Sequence, residues 1–383
     1  MTDTTDTTKT LPLYAKLSLI TIGLIAFFYI LYIGQDLLVP LIFATIIAIL
    51  LNPVVNFLCK KGMNKVVAIL LVLTVALIVI GALMYFMGSQ VSLFSETLPQ
   101  LKQKISVMFN DAIDWASKEF NVGKPKIAAW VDKTKGEGMD NSSAMIGETI
   151  GTISGVLVLI FLLPVYVFMI LFYKPLLLEF IARLFQRDKH KVVAEVLMET
   201  KVLIQSYLVG LLLEAALVAA LNSAALLIIG IKYAVLIGII GALLNIIPYI
   251  GGVIAIAIPM LLAIATKEPI DALWVFIAYI IVQFIDNNLF VPKIVASKVK
   301  INALVSIIVV LVGGALWGVS GMFLSIPLTA IIKVIFDRIE PLAPFGFLLG
   351  DDQPQIGKSV FNFKNPIKKV RRKVVNKVVT GRK

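Results

Sequence analysis

The chain has 383 residues, of which 59% are hydrophobic and 15% are charged, with a mean hydropathy of +0.97 and a formal net charge of +12. Soluble domains average about 25% charged residues, so this chain lacks the polar side chains that a water-facing surface requires. We exclude a soluble globular protein and predict an all-α, polytopic integral membrane protein. The sequence has one cysteine, Cys59, and one histidine, His190, which excludes an intrachain disulfide and gives no indication of a metal site.

Apolar segments that could lie in a membrane follow one another along the chain, because a helix of roughly 20 residues crosses the hydrocarbon core. The first follows a polar N-terminus without a basic start and has no small-residue cleavage pattern after it, so we expect a retained span. The segment 174–201 carries lysine and arginine beside leucine and phenylalanine, which predicts a basic amphipathic helix on a membrane surface. The apolar segments are 17–33, 37–58, 66–88, 150–173, 203–230, 234–265, 270–292 and 302–335.

Basic residues near the span ends predict the orientation, because cytoplasmic loops carry an excess of lysine and arginine. Lys60, Lys61 and Lys65 place the loop after the second segment, and with it the N-terminus, in the cytoplasm. The polar segment 89–148 then lies outside, where seven lysines face eight acids, and 174–201 lies inside with the basic tail. We expect a multi-pass protein of the bacterial cytoplasmic membrane with both termini in the cytoplasm.

Two apolar segments are predicted to be re-entrant-type hairpins. Three lysines directly after 270–292 place its end inside, so 234–265 begins and finishes outside, yet it is too short for two full crossings. The same reasoning makes 302–335 begin and finish inside. Both contain Gly and Pro, and interrupted hydrophobic segments of this kind are the best sequence indication of a transporter substrate site. We therefore expect two hairpins that enter from opposite faces and meet near the midplane.

The first break combines polar and helix-breaking residues within an apolar stretch. Pro248 has no amide hydrogen, and glycines allow backbone angles that helices do not use. Unwound backbone at this depth must be buried in protein or line a cavity, which suggests a substrate path; the alternative is an ordinary kinked helix. The candidate path residues here are Asn245, Pro248, Tyr249, Gly251 and Gly252.

The most polar stretch within any predicted span is QFIDNNLFVP. Gln283, Asp286 and Asn287 are spaced i, i+3 and i+4, so they share one helix face. A carboxylate at membrane depth is costly and is a functional candidate by default, which makes Asp286 a candidate proton or cation site. In the alternative, Asp286 lies at the cytoplasmic interface and pairs with Lys293. Asn288 and Pro292 complete this group of path candidates.

A second carboxylate, Glu214, lies nearer the middle of its predicted span and is a further path candidate. Its alternative role is a protonated side chain that hydrogen-bonds a neighbouring helix. The second hairpin has four glycines and no charge at its break, so freed carbonyls could coordinate a small cation or a polar solute. Tight packing of the turn is the alternative there. The candidates in this hairpin are Gly313, Gly314, Gly318, Gly321 and Pro327.

The C-terminal tail carries ten basic residues and no acid from Lys358 onward. Anionic lipids attract such segments by about 1 kcal/mol per basic residue near the surface, so we expect lipid contact or a plain topology signal. Nucleic-acid binding is not predicted, because no aromatic platform accompanies the charge. The candidate lipid-binding residues are Lys369, Arg371, Arg372, Lys373 and Lys377.

The predicted organisation has four parts: membrane spans in 1–88, an extracytoplasmic helical segment in 89–148, a transport core in 149–340, and a linker with a basic cytoplasmic tail in 341–383. The sequence contains no Walker A motif, GxGxxG, HExxH or GxSxG. We therefore expect no enzyme activity and no cofactor, and the absence of an ATP-binding motif favours secondary transport.

Three motifs give the chain a specific resemblance. IIPYIGG followed by a proline at 246–259, QFIDNNLFVPKI at 283–294 and GGALWGVSGMFLSIPLTAIIKV at 313–334 resemble the autoinducer-2 exporter family of bacterial permeases. The chain departs from the family pattern at Gly252, Ser297, Asn302 and Ala303. The resemblance implies about eight membrane segments and transport without ATP. By analogy with elevator-like transporters, the opposed hairpins also suggest a homo-oligomer.

Three hypotheses about function follow. The first is a secondary transporter or exporter of a small polar solute, since family members are linked to export of autoinducer-2. The second is a Na⁺(Li⁺)/H⁺ antiporter, in which Asp286 or Glu214 titrates. The third is a non-transporting membrane scaffold, which the broken hairpins disfavour because a scaffold needs only continuous spans. The expected partners are the lipid bilayer, a small polar solute, and Na⁺ or H⁺ as coupling ions.

Overall fold

The computed structural model describes residues 12–95, 161–247, 251–295 and 301–351, together with a few single positions between 103 and 119. The chain divides into two units, Met1–Gly350 and Asp351–Lys383, and only Asp351 of the second is described. Regular structure in the described residues is helical. The helices are α1 (Leu13–Ile33), α2 (Gln35–Lys60), α3 (Lys65–Ser95), α4 (Phe161–Leu184), α5 (His190–Ile229), α6 (Ala234–Asn245), α7 (Gly251–Thr266), α8 (Pro269–Ile285), a π-helix (Asp286–Val295), α9 (Ala303–Asp337) and α10 (Ala343–Leu349).

The predicted all-α membrane architecture is confirmed, while the first half of the predicted segment 150–173 lies outside the described residues. Among the described residues, seven helices are long and apolar enough to cross a membrane, and 234–265 appears instead as shorter apolar helices. The apolar surface of α1 is not buried by the rest of the chain. That exposure suits a helix surrounded by lipid rather than by water, because lipid tails solvate apolar side chains. The chain is thus an all-α polytopic membrane protein.

Helix α5 is the central element of the packing. At 1.5 Å per residue, its 40 residues extend about 60 Å, which exceeds the thickness of a bilayer. Its N-terminal half packs against α2 and α9 through Ile204 and Leu208. Its C-terminal end packs against α6, α7 and α8 through Leu226. Helices α2, α3 and α4 form a separate cluster of buried residues. Helix α5 therefore links the packing around α2 and α9 to the packing around α6, α7 and α8.

The predicted amphipathic helix 174–201 is wrong as a single element. Helix α4 continues to Leu184, and a turn with a short 3-10 helix at Arg187–Lys189 separates it from α5. The basic segment is therefore a corner between two helices. The sequence did not reveal this corner because it holds neither Gly nor Pro; the extended backbone at Gln186 makes the break.

The first hairpin is broken where the sequence predicts. Helix α6 ends at Asn245 and α7 begins at Gly251, and the two helices are about 18 and 24 Å long at 1.5 Å per residue. Each is shorter than the roughly 30 Å of the hydrocarbon core. The carbonyl of Leu244 leaves no room for a Cβ at Gly251. Residues 248–250, which include the candidates Pro248 and Tyr249, lie outside the described residues.

The second hairpin reverses inside α9. Trp317 has a non-helical backbone and Gly318 has a φ of +57°, a conformation that favours glycine. Gly313 and Gly321 lie against each other, and a Cβ on Gly313 would be 3.1 Å from the Cβ of Ser325. In a straight helix, residues 313 and 325 would be about 18 Å apart. The two arms therefore pack side by side, as predicted for a hairpin.

The tip of this second hairpin contacts the end of α1. The indole Nε1 of Trp317 donates a 2.9 Å hydrogen bond to the carbonyl oxygen of Leu31. Phe323, in the returning arm, stacks on Phe43 of α2 with ring centroids 5.7 Å apart. In the described residues, this hairpin packs with α1, α2 and α5 rather than with α7 or α8. The predicted meeting of the two hairpin tips is therefore not seen there.

Candidate functional site

A row of polar residues along α8 carries the candidate site. The helix starts with Pro269 at its first position and a capping box between Glu268 and Asp271, which together satisfy its first amide groups. Tyr279, Gln283 and Asp286 then follow at i, i+4 and i+7, so they lie on one face. This face is turned towards α5 and α6, where Tyr279 and Asp286 are buried.

Asp286 lies at the junction between two kinds of helix. Helix α8 ends at Ile285, and Asp286–Val295 forms a π-helix of ten residues. The π-helix pairs residues i and i+5, is rare, and occurs mainly as single turns at functional sites. Pro292 lies within it and has no amide hydrogen to donate. The change of helix type begins at the one carboxylate of this segment.

The carboxylate of Asp286 is held by side-chain amides. Its side chain is 1% exposed. Nδ2 of Asn245, the last residue of α6, donates a 2.8 Å hydrogen bond to Oδ2 of Asp286. Nε2 of Gln283 lies 3.5 Å from the same oxygen and 3.3 Å from Oδ1 of Asn287. The polar run predicted from sequence therefore meets the break of the first hairpin, as expected.

A small cavity lies beside these groups, among α5, α6, α7 and α8. The centre of a water molecule could occupy a volume of about 10 Å³ within it. That is roughly the space that one water molecule needs. Three buried polar atoms of its lining have no hydrogen-bond partner among the described residues: Oδ1 of Asn222, the hydroxyl of Tyr279 and Oδ1 of Asp286. Buried polar groups are normally paired, so the cavity is suited to a ligand.

One glycine, Gly241, lines this space, and a second, Gly252, lies against the side chain of Gln283 in the lining. A Cβ on Gly241 would be 3.3 Å from the Tyr279 hydroxyl and 3.5 Å from Nδ2 of Asn222. A Cβ on Gly252 would be 3.1 Å from Oε1 of Gln283. Both glycines thus let backbone approach the polar groups closely. Side chains at either position would intrude on the site.

Glu214 is near the site without being part of its lining. It lies on α5, is 8% exposed, and is close enough to Asp286 for the two carboxylates to interact electrostatically. Tyr207 lies two helical turns before Glu214 on the same helix and is close enough to interact with it electrostatically. Two neighbouring carboxylates in an apolar bundle cannot both carry charge cheaply.

The described contacts of Asp286 are not those expected if it lay at the cytoplasmic interface and paired with Lys293. Asp286 bonds with amides of Asn245 and Gln283, while Lys293 lines a different cleft beside Gly210 and Gln205. Asn288 is exposed and donates to the carbonyl of its own helix at Phe284. Asn288 is thus outside the cavity.

The second hairpin's candidates lie elsewhere in the described structure. Gly313 and Gly321 pack arm against arm, and Gly314 faces the side chain of Met322. Gly318 forms the turn, and no atom lies within 4 Å of where its Cβ would be. Pro327 is buried inside the returning arm. None of these residues lines the cavity beside Asp286. The tail candidates Lys369, Arg371, Arg372, Lys373 and Lys377 lie outside the described residues.

Three members of the site were missing from the sequence-based set: Asn222, Tyr279 and Gly241. Two of them could have been identified from their helical spacing to predicted site residues. Tyr279 precedes Gln283 by four residues, and Gly241 precedes Asn245 by four, so each lies on the face of a predicted site residue. Asn222 could not be identified as a site residue without knowing how α5 packs on α6. There, the close approach of Gly238 to Ser223 brings Asn222 to the cavity.

Comparisons with known proteins agree on one family. The model of the AI-2E family transporters matches residues 21–340. The AI-2 transport protein TqsA of Escherichia coli (strain K12) is 24% identical over 319 residues, covering 83% of this chain and 90% of TqsA. YueF of Bacillus subtilis (strain 168) is 26% identical over 324 residues, covering 80% of this chain and 85% of YueF.

Proposed function

Because the chain belongs to the AI-2E transporter family, and is thus a multi-pass membrane transport protein, we propose that it is an ATP-independent transporter of a small polar solute. The solute would bind at the break of the first hairpin, next to Asp286. The similarity to a relative named as an AI-2 transport protein makes AI-2 the first solute to test.

One observation carries this proposal: three buried polar atoms face a common cavity without a described partner. Two of them, Oδ1 of Asn222 and Oδ1 of Asp286, are acceptors when the carboxyl group is ionised. A ligand that satisfies them must therefore supply hydrogen-bond donors or positive charge. A hydroxylated solute supplies donors. Since the cavity holds about one water, we expect that solute entry requires α6 and α7 to move away from α8.

A second candidate function is cation/proton antiport, and the size of the cavity favours it. The space suits one dehydrated cation, and oxygen ligands are available from Asn222, Tyr279 and Asp286. Glu214 is close enough for its charge to influence Asp286. In this mechanism, Asp286 would bind the cation when ionised and release it on protonation. Each transport step would thus exchange one cation for a proton.

The experiment that tests both candidates is transport into proteoliposomes that contain the full chain. Uptake of AI-2 and of ²²Na⁺ is measured with an imposed pH gradient, with an imposed Na⁺ gradient and with neither. Solute transport predicts AI-2 uptake above that of empty liposomes, lost in Asp286→Asn. Antiport predicts ²²Na⁺ uptake that requires the pH gradient. If neither substrate enters faster than into empty liposomes, the assignment of this cavity to either ligand is wrong.

A further inference from the structure

A large cleft lies far along α5 from Asp286. Its volume is about 650 Å³, and its walls come from α2, α4 and the first turns of α5. Most of the lining is apolar, as at Ala48, Leu177 and Ala194. This volume falls within the range of ligand-sized sites. The cleft is thus large enough for an elongated apolar group.

Positive charge gathers at one side of this cleft. Lys174 and Lys201 both line it, and Lys174 is within electrostatic range of Lys201 and Lys65. The Nζ of Lys174 donates a 3.0 Å hydrogen bond to Oδ1 of Asn52, and Lys65 donates to the carbonyl of Phe172. Both acceptors are neutral, so neither bond cancels the charge.

The nearby acids are engaged elsewhere. Glu195 and Glu199 pair with Arg338 at 2.8 and 3.1 Å, and Glu179 pairs with Arg183. The ion pairs found among the described residues include neither Lys174 nor Lys201. Like charges that converge without a counter-charge repel one another. An anion placed between the lysines would therefore stabilise this arrangement.

We propose that this cleft binds one anionic phospholipid, with an acyl chain along the apolar walls and the phosphate against Lys174 and Lys201. Both the charge and the shape of the cleft fit this lipid, because a ligand here needs an anionic head and a long apolar part. A basic pocket between membrane helices is the kind of site that recognises such lipids. A symmetric contact with a second copy would bring both sets of lysines together, which their repulsion opposes.

The test is native mass spectrometry of the full chain, stripped of lipid in a nonionic detergent and titrated with phosphatidylglycerol or phosphatidylcholine of the same acyl chains. We expect one phosphatidylglycerol per chain, bound at least fivefold more tightly than phosphatidylcholine. The double variant Lys174→Gln/Lys201→Gln should lose this preference. The matched control Lys189→Gln/Lys191→Gln removes the same charge from exposed positions outside the cleft, and should keep it.

A third variant tests the cleft itself without changing any charge. Ala194→Trp should fill the apolar space and weaken phosphatidylglycerol binding at least fivefold. Circular dichroism and gel filtration show whether each variant folds, and Lys201→Gln alone replaces the double variant if the latter does not. Equal binding of the two lipids, or equal loss in the control pair, overturns the proposal. Unchanged phosphatidylglycerol binding in Ala194→Trp also overturns the proposal. A changed oligomer mass in that variant would overturn it too, by identifying a second copy of the chain as the occupant.

Discussion

Nδ2 of Asn245 lies 2.8 Å from Oδ2 of Asp286, and this hydrogen bond joins the end of α6 to the start of the π-helix. The two residues are 41 positions apart, yet each occupies the last or first position of its helix. A movement of either helix end would change the environment of the carboxylate. Asp286 is therefore placed to link ligand binding to the position of the first hairpin.

Replacement of Asp286 by Asn is expected to remove the pH dependence of transport. The amide keeps the size of the side chain and an acceptor for Asn245, so the variant should fold, but it has no titratable proton. Gradient-driven uptake should fall about tenfold or more, since the charge would be essential to coupling. The measurement is uptake in proteoliposomes over a range of pH. Asp271→Asn, at the other end of α8, is the control and should behave as wild type. Uptake by Asp286→Asn that still depends on pH would contradict the coupling role of Asp286 and make Glu214 the next candidate.

Gly252→Val is expected to block the cavity while leaving the protein folded. Its side chain would press on Oε1 of Gln283, which lies 3.1 Å from a Cβ at this position. Transport should drop about tenfold or more, because the displaced amide of Gln283 would fill a space that holds about one water. The matched control is Gly81→Val on α3, where no atom lies within 4 Å of a Cβ. Similar uptake by the two variants would show that the cavity is not on the path.

The arms of the second hairpin give a prediction about stability. Gly321→Ala should lower the free energy of unfolding by about 1–3 kcal/mol, because its Cβ would meet the backbone carbonyl of Gly313 and the helices must separate. Gly314→Ala is the control, since its Cβ meets only the flexible side chain of Met322. Alanine also has the better helix propensity there, by about 1 kcal/mol. Thermal unfolding in detergent measures both; a larger loss for Gly314→Ala would contradict the side-by-side packing.

The predicted orientation is open to direct measurement. In a Cys59→Ser background, a single cysteine at Lys189 should react with a membrane-impermeant maleimide only when the reagent reaches the cytoplasmic face. A single cysteine at Ser143, in the segment predicted to lie outside, should react in intact cells. The physical reason is the lysine and arginine bias of cytoplasmic loops. Reaction of both positions from the same side would mean that the crossings between them are miscounted.

Much of the fold could be predicted because the bilayer imposes strong rules on a sequence. Membrane spans can be recognised by their length and apolar composition. The break between Asn245 and Gly251 and the reversal at Trp317–Gly318 both fall where Gly or Pro interrupts an apolar segment. The π-helix could not be foreseen from local composition. The carbonyl of Ile294 within it lies close to Gly210 of α5, a contact that only the folded structure reveals. The same holds for the corner at Gln186, which has no sequence marker.

Some candidate residues that the sequence indicates lie together in the structure, and others were missed because their position depends on packing. Asn245, Gln283 and Asp286 meet as expected, because costly polar groups in an apolar bundle come together. The glycines of the second hairpin do not join them in the described structure. Their spacing instead serves close packing of the two arms, the alternative interpretation of the same glycine pattern. Glycine at membrane depth therefore indicates backbone proximity, and only the packing tells whether the neighbour is a ligand or another helix.

The contact between Trp317 and Leu31 has a consequence for how the sequence can vary. The indole donates to a main-chain carbonyl, which every amino acid provides, so the bond demands a particular residue at position 317 and none at position 31. Paired substitutions between these sites would not be expected in relatives. Methods that infer proximity from correlated variation would consequently overlook the attachment of this hairpin to α1, although 286 positions separate the two residues.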